Sequence, residues 1–476
     1  MSKRKRRQNI KSKDKERYQK LYKNIPKVTK KKTKLYVAVS LIAIFCLVLI
    51  LNSYFNFSSG IAHNPEGQSL GTRFFLAGPD PYYNMRLCQE TLETGHYPFV
   101  ELSDGDPLLN YPVGVYAGAR PPLFNMVAVG SAKLLGNFMP ELDALGWSML
   151  MLPAIYGALL VFPVYGIGKS LFNEKVGIIA AFLIPIIPIH LGAGHGSAFS
   201  LFDHDSFLLL LFTITFFFII KALKESNRNK TILYSILAGI SIGCVNMTWA
   251  ASQALFIIIT IYLFVQLAFD IFRKYDLKRI KPASIVFIAF LTGYIISLPY
   301  TLAISKITTH LFFMTMISMG IIILYLILYK LKLPWLISIP ILASISGIGL
   351  GFLYMIANGT ITLTGMFGPI SDIADVVFGS GIYGYKVALT IGEAHTSNLS
   401  NTVMSFGPAL FWLGLTGFIL YIYKTIRNNF DSVELFFLTI FIMQFWLTTT
   451  AGRFLNDFLP ALVIMAAFVI YKFVKF

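Results

Sequence analysis

The chain has 476 residues, 56% of them hydrophobic and only 13% charged, with a mean hydropathy of +0.67. Soluble domains carry about 25% charged residues, so the composition excludes a water-soluble globule and leaves apolar sequence for many spans of ~20 residues each. The formal charge of +17 belongs mainly to one end: residues 1–34 hold 16 Lys/Arg against Asp14 and Glu16, a net of +14, which leaves +3 for the rest.

Taken in chain order, residues 1–35 read as a basic, disordered cytosolic tail, from Lys3-Arg4-Lys5-Arg6-Arg7 to Lys30-Lys31-Lys32, with too few apolar residues to fold. Its expected partner is the membrane surface, where each basic residue contributes ~1 kcal/mol, and no nucleic acid. Residues 36–56 form the first transmembrane helix, and the positive charge before it holds the N-terminus in the cytoplasm. No small-x-small cleavage site follows, which argues against a signal peptide. Residues 57–144 form a first long extracytoplasmic loop, rich in Gly, Pro, Asp, Asn and Tyr. Its apolar stretch Pro121–Leu135 is expected as a helix lying at the outer surface.

The transmembrane bundle, 145–356, contains apolar runs at 145–168, 176–191, 205–222, 231–248, 251–271, 284–303, 309–329 and 335–356. A second long extracytoplasmic loop covers 357–405, and 406–476 holds runs at 406–426, 432–450 and 454–471. The expectation is an all-α polytopic protein of the cell membrane with about twelve transmembrane helices. Loop charge supports that count: the expected cytosolic connections carry Lys169 and Lys175, Lys221 to Lys230, Arg273 to Lys281, Lys330 and Lys332, and Lys424 and Arg427. Cys46, Cys88 and Cys244 are too scattered to form a disulfide or metal framework. There is no P-loop and no dinucleotide fingerprint.

Four places on the expected outer face carry chemistry. Gly78-Pro79-Asp80-Pro81-Tyr82-Tyr83 sets an acid among rigid backbone and aromatics, read either as a ligand or as an Asx-turn before a helix. Asp203-His204-Asp205 opens the run at 205. It is either a helix cap or a site for a divalent cation, Mg²⁺ or, with the histidine, Mn²⁺. Thr390-Ile391-Gly392-Glu393 places a carboxylate in the second long loop, solvated or functional. Arg453, at a span end, either snorkels to headgroups or uses its fork of donors to bind a phosphate. Acids and an arginine on one membrane face suit transfer from a phosphate-activated lipid donor, in which a cation and an arginine stabilise the departing phosphate.

These residues bring a family into view. The chain resembles the catalytic subunit of oligosaccharyltransferase, the STT3 family, and most of all its archaeal members, over roughly residues 36–470. The likeness rests on Gly78–Asp80 with Pro81-Tyr82-Tyr83-Asn84-Met85-Arg86; on Asp104-Gly105-Asp106, Asn110-Tyr111-Pro112 and Arg120-Pro121-Pro122-Leu123-Phe124; on Asp203-His204-Asp205; on Thr390–Glu393; and on Arg453-Phe454. The resemblance implies a GT-C-type helical bundle. It implies that Asp80 and Asp203 bind metal with Asp205 or His204 in support, and that Glu393 contacts the acceptor amide or the metal. Arg453 would bind the donor phosphate, helped by Arg120. Trp249 falls where the family has a donor-side tryptophan, although an interfacial anchor explains it equally well.

The implied reaction moves an oligosaccharide from a polyprenyl (dolichyl-type) phosphate or diphosphate to Asn in Asn-x-Ser/Thr. The partners are then the lipid-linked donor, a secreted or membrane acceptor polypeptide and membrane lipids. Family members carry a W-W-D-Y-G motif in a C-terminal domain, and none of the five tryptophans here is adjacent to another. A separate polypeptide supplying that domain is therefore among the expected partners. The alternatives are another polyprenyl-phosphate sugar transferase of the same architecture, an inactive or split form, and a transporter, which would place its polar residues at mid-membrane.

Overall fold

A computed structural model describes residues 30–54, 74–99, 101–102, 105–108, 120–191, 196–273, 276–304, 307–378 and 395–475. The basic tail before Lys30, Asp104, the stretch Asn110-Tyr111-Pro112 and the whole of Thr390–Glu393 lie outside the described residues.

Every regular element among the described residues is helical. In order they are α1 (Lys30–Tyr54), α2 (Pro79–Thr94), α3 (Leu123–Leu135), α4 (Glu141–Leu159), α5 (Val161–Leu171) and α6 (Glu174–Leu183). Then come α7 (Pro188–Leu191), α8 (Asp205–Lys224), α9 (Arg228–Asn246), α10 (Gln253–Phe272), α11 (Lys281–Ala303) and α12 (His310–Leu331). The series closes with α13 (Trp335–Ala357), α14 (Gly368–Phe378), α15 (Leu399–Phe406), α16 (Pro408–Arg427), α17 (Ser432–Thr450) and α18 (Leu455–Lys475). Two compact units partition the chain, Met1–Ala43 and Ile44–Phe476. The described part of the first is the leading half of α1; everything that follows concerns the second.

Ten stretches among the described residues are long and apolar enough to cross a membrane, and the chain is a multi-pass membrane protein. Two of the twelve expected runs take another form. The run at 176–191 breaks into α6, a 3₁₀ turn at Ile184–Ile186 and the single turn α7. Pro185 and Pro188 are responsible, because each removes an amide donor from the helical ladder. The run at 231–248 is helical as expected, but α9 begins with Arg228 and Lys230 and is punctuated by serine and glycine.

The small residues of α9 explain how it packs. It lies between α8 and α11, and a Cβ on Gly239 would sit 2.6 Å from the Ala289 carbonyl oxygen. A Cβ on Gly243 would meet the Gly293 carbonyl at 3.0 Å, and one on Gly293 would meet the Gly239 carbonyl at 3.1 Å. The two backbones therefore touch. In lipid, where apolar side chains gain nothing by leaving the tails, such close approach is what holds helices together.

The long loops are more ordered than their composition suggests. α3 is the helix expected at 121–135. Its thirteen residues cannot cross a bilayer, and it buries Phe124, Ala128, Val129 and Ala132 in a cluster shared with Met149 and Tyr156 of α4 and with Phe199 and Phe202. The second long loop contains α14 and α15.

At one end of the bundle, lysines complete the helix termini of their neighbours. Lys281 Nζ donates to the Leu223 and Glu225 carbonyls at 2.8 and 2.5 Å. Lys224 reaches the Ser170 carbonyl, and Lys424 reaches that of Leu171 at 3.4 Å. The last carbonyls of a helix have no partner within it and carry partial negative charge, so these ammonium groups supply both a donor and a favourable charge.

Candidate functional site

The opposite end of α8 carries the acidic residues. Two wings meet there, one built by α2 and the segment leading into α3, the other by the loop before α8 and the turn before α18.

The first wing starts at Gly78, whose φ of +94° would strain any side chain. Pro79 follows as the first helical residue of α2, a position that needs no amide hydrogen. Asp80 consequently stands in the first turn of α2 without capping it. Its Oδ1 accepts a hydrogen bond of 2.7 Å from Arg120 Nη2, and its side chain remains about half exposed, at 53%. The Asx-turn reading is thereby replaced by an ion pair. Arg120 also donates from Nη1 to Asn84 Oδ1 at 3.3 Å and lies 5.0 Å from the centre of the Tyr83 ring. Arg86 sits over the same ring and pairs with Asp106.

Asn84 joins the wings. One turn beyond Asp80 and almost fully buried, it receives Arg120 and donates from Nδ2 to the Phe202 carbonyl at 3.3 Å. Asn125 Nδ2 supports it from α3 at 3.5 Å and donates to the Tyr97 hydroxyl at 3.0 Å. That hydroxyl in turn donates to the Arg120 carbonyl at 3.2 Å. Asn84 stands in the sequence only as part of the family motif, and nothing there marks Asn125 or Tyr97 as its partners. The available signal was Asn84 standing four residues after Asp80, on the same helical face.

In the second wing, Phe202 stacks on Phe124 at 4.5 Å and so fixes the residue before Asp203. Ser200, a non-glycine residue at φ +72°, donates its amide to Leu150 and accepts from Ala77, both at 3.0 Å. Phe199 donates to the Asn52 carbonyl at 2.9 Å. Asp203 Oδ1 accepts from His204 Nδ1 at 2.6 Å and from the His204 amide at 2.7 Å. Burial, the largest influence on Asp203, opposes its ionisation. His204, Arg453 and Arg120 together outweigh it and hold the carboxyl well below the usual carboxylate range. The field of Arg120 from the first wing thus reaches Asp203.

Arg453 is the hub of this wing. Its Nη2 lies 2.8 Å from His204 Nε2 and donates to Asp205 Oδ1 at 2.6 Å. Its guanidinium sits 4.5 Å from the centre of the Trp249 ring. Neither acid caps α8: His204 occupies the cap position, and its side chain makes no capping hydrogen bond. Trp249 is buried, at 7% exposed, and forms a platform under Arg453, braced by Phe454 at 6.4 Å. Gly452 donates its amide to the His395 carbonyl at 2.9 Å, tying the second long loop to the turn that carries Arg453.

Asp80, Arg120, Asp203, His204, Asp205, Trp249 and Arg453 are thus linked through short contacts; Glu393 lies outside the described residues. Among the described residues, no three His, Cys, Asp or Glu side chains form a ready metal cage. His204 and Asp205, expected as ligands, both contact Arg453, a buried guanidinium that needs partners. Asp80 and Asp203 fit a hard cation better: the hydrogen bonds each accepts among the described residues end on Oδ1, and carboxylate oxygens suit Mg²⁺ or Mn²⁺. Beside the cluster opens a cavity of about 950 Å³, lined by Asn246, Trp249, Tyr300, His310 and Asp372 among others. His310 Nε2 and Asp372 Oδ2 meet there at 3.0 Å, bridging α12 and α14.

Comparison with known proteins places this arrangement. Residues 71–476 match the family model for oligosaccharyl transferase STT3, N-terminal. The chain is 26% identical over 390 residues to dolichyl-phosphooligosaccharide-protein glycotransferase 3 of Archaeoglobus fulgidus, covering 76% of this chain and 42% of that protein. It also superimposes on the archaeal oligosaccharyltransferase AglB of the same organism, solved with an inhibitory peptide and a dolichol-phosphate. There the TM-score is 0.72 at 20% identity, across 93% of this chain and 51% of that one. A further structure of an A. fulgidus oligosaccharyltransferase, a complex with Zn and sulfate, gives a TM-score of 0.62. The chain spans less than half the length of that curated relative, and its fold is the GT-C-type helical bundle of these enzymes. The chain belongs to the oligosaccharyl transferase STT3 family.

Proposed function

We propose that the protein transfers an oligosaccharide from a polyprenyl phosphate or diphosphate to the side-chain amide of Asn in Asn-x-Ser/Thr. The observation that carries this reading is the junction of the two wings. A half-exposed carboxylate on Asp80 is paired with Arg120, an ionised one on Asp203 feels both Arg120 and Arg453, and Trp249 beneath Arg453 lines a large cavity. The relative and the solved structures, named as glycotransferases acting with dolichol-linked donors, point the same way.

An amide nitrogen is a poor nucleophile because its lone pair is delocalised into the carbonyl. Asp80, and Glu393 from the second loop, would accept hydrogen bonds from the two N–H groups and turn the C–N bond out of conjugation. The link from Gly452 to His395, two residues past Glu393, supports bringing that loop to the site. Arg453, paired with Asp205 and seated on Trp249, would neutralise the departing phosphate. A divalent cation, Mn²⁺ or Mg²⁺, held by Asp80 and Asp203, would supply Lewis-acid stabilisation of that same phosphate. The lysine-capped end of the bundle faces the cytoplasm in this reading and the acidic site faces outward. The W-W-D-Y-G motif is absent from these 476 residues.

Membranes bearing the chain should glycosylate a sequon peptide, read by mass spectrometry. Asp80→Asn should lower transfer by at least ~10²-fold, as should a chelator. Full transfer by the Asp80→Asn variant removes the site assignment, and sugar found on a hydroxyl oxygen removes the reaction.

A further inference from the structure

The structure contains a second cationic site, remote from the first. The helix α18 begins beside Arg453 and runs to Lys475, so Lys472 lies roughly 30 Å along the helix from the acidic cluster. A cleft of about 800 Å³ opens there between α16, α18 and the end of α5, lined by Lys424, Arg427 and Lys472 together with Phe172, Tyr423 and Phe468. We propose that this cleft binds the phosphate headgroup of an anionic membrane lipid.

Charge is the first argument. Lys424 already has partners, Glu434 Oε1 at 3.0 Å and the Leu171 carbonyl. Arg427 and Lys472 form no ion pair with any acid among the described residues. Their recorded contacts are with aromatic faces, Arg427 at 5.8 Å from Tyr423 and Lys472 at 5.6 Å from Phe468. These rings hold the cations in place without neutralising them. The floor is rigid: Phe172 and Phe468 stack at 4.3 Å with planes 13° apart, and Lys424 lies 5.0 Å from Phe172.

The second argument is level. Arg427 ends one candidate span, Pro408–Arg427, and Lys472 stands near the end of another, Gly452–Val474. Exposed Leu420 and Tyr423 continue from the cleft along α16, and exposed Phe473 flanks Lys472. A ligand seated here has its charge at the headgroup level and an apolar wall beneath it. That pattern matches a lipid, and basic pockets between helices are known to select lipid phosphates. Mere snorkelling of the same side chains would give no saturable or selective binding.

The test uses the full chain in nanodiscs of phosphatidylcholine, with or without phosphatidylglycerol, and native mass spectrometry to count retained lipid. Phosphatidylglycerol should be retained over phosphatidylcholine, and Arg427→Gln with Lys472→Gln should weaken retention roughly thirtyfold. The double variant should unfold at the wild-type temperature in phosphatidylcholine, because both side chains are exposed. Lys330→Gln with Lys332→Gln, which removes equal charge from the end of α12, should leave retention intact. The proposal is overturned by unchanged retention in the first variant, by an equal loss in the second, or by inorganic phosphate displacing the bound lipid.

Discussion

The two ends of the bundle are both built on cations, yet they use them in opposite ways. At the acidic end Arg453 is 10% exposed and is surrounded by Asp205, His204 and the face of Trp249. At the other end Lys224, Lys281 and Lys424 reach across to finish helices that are not their own, while Arg427 and Lys472 face outward. Residue type does not distinguish these roles; burial and the charge of the nearest partner do. A buried guanidinium is held by the acid, imidazole and ring around it, whereas an ammonium on a helix terminus completes the scaffold.

Breaking the acidic end should cost most. Arg453→Ala leaves Asp205 buried without its cation and should destabilise the protein by about 3–5 kcal/mol, measured by unfolding in detergent, with transfer lost. Pairing Arg453→Met with Asp205→Leu sharpens the point: stability should return while transfer does not.

The separation of the two ends depends on close-packed helices between them. Gly239→Val would drive a side chain into Ala289 and Thr292 and should cost about 1–3 kcal/mol, lowering the unfolding temperature without a specific effect on donor affinity. Asn84→Ala removes the link between the wings and orphans a bond from Arg120, for about 1–2 kcal/mol. Its transfer rate should fall by more than its stability explains. The smallest effect belongs to the scaffold end: Lys281→Ala should cost about 0.3–1 kcal/mol and leave transfer unchanged. A large drop in transfer for Lys281→Ala would erase the distinction between the ends.

Much of this was legible in the residues. The apolar runs and the helical bundle follow from hydropathy, and motifs kept in order along the chain mark Asp80, Asp203 and Arg453 as candidates for one site. What was not legible is who holds whom. Arg120 appeared a minor donor contact and turns out to pair with Asp80, because the segment before α3 folds back over α2. His204 and Asp205 read as metal ligands by residue type, and their contact with Arg453, some 250 positions later, is visible only in three dimensions. The break between α6 and α7 was written in Pro185 and Pro188, but a window average masks it, since the isoleucines around them keep the mean hydropathy high.

One backbone position has a wider consequence. Ser200 stays at φ +72° because strands of chain from three separate regions grip the turn around it: Leu150 and Ala77 on Ser200 itself, and Asn52 on Phe199. Asp203 is therefore not free to shift by itself. The turn that carries it is tied to the end of α1, to the segment entering α2 and to α4, so a displacement of that acid would strain three distant parts of the chain at once.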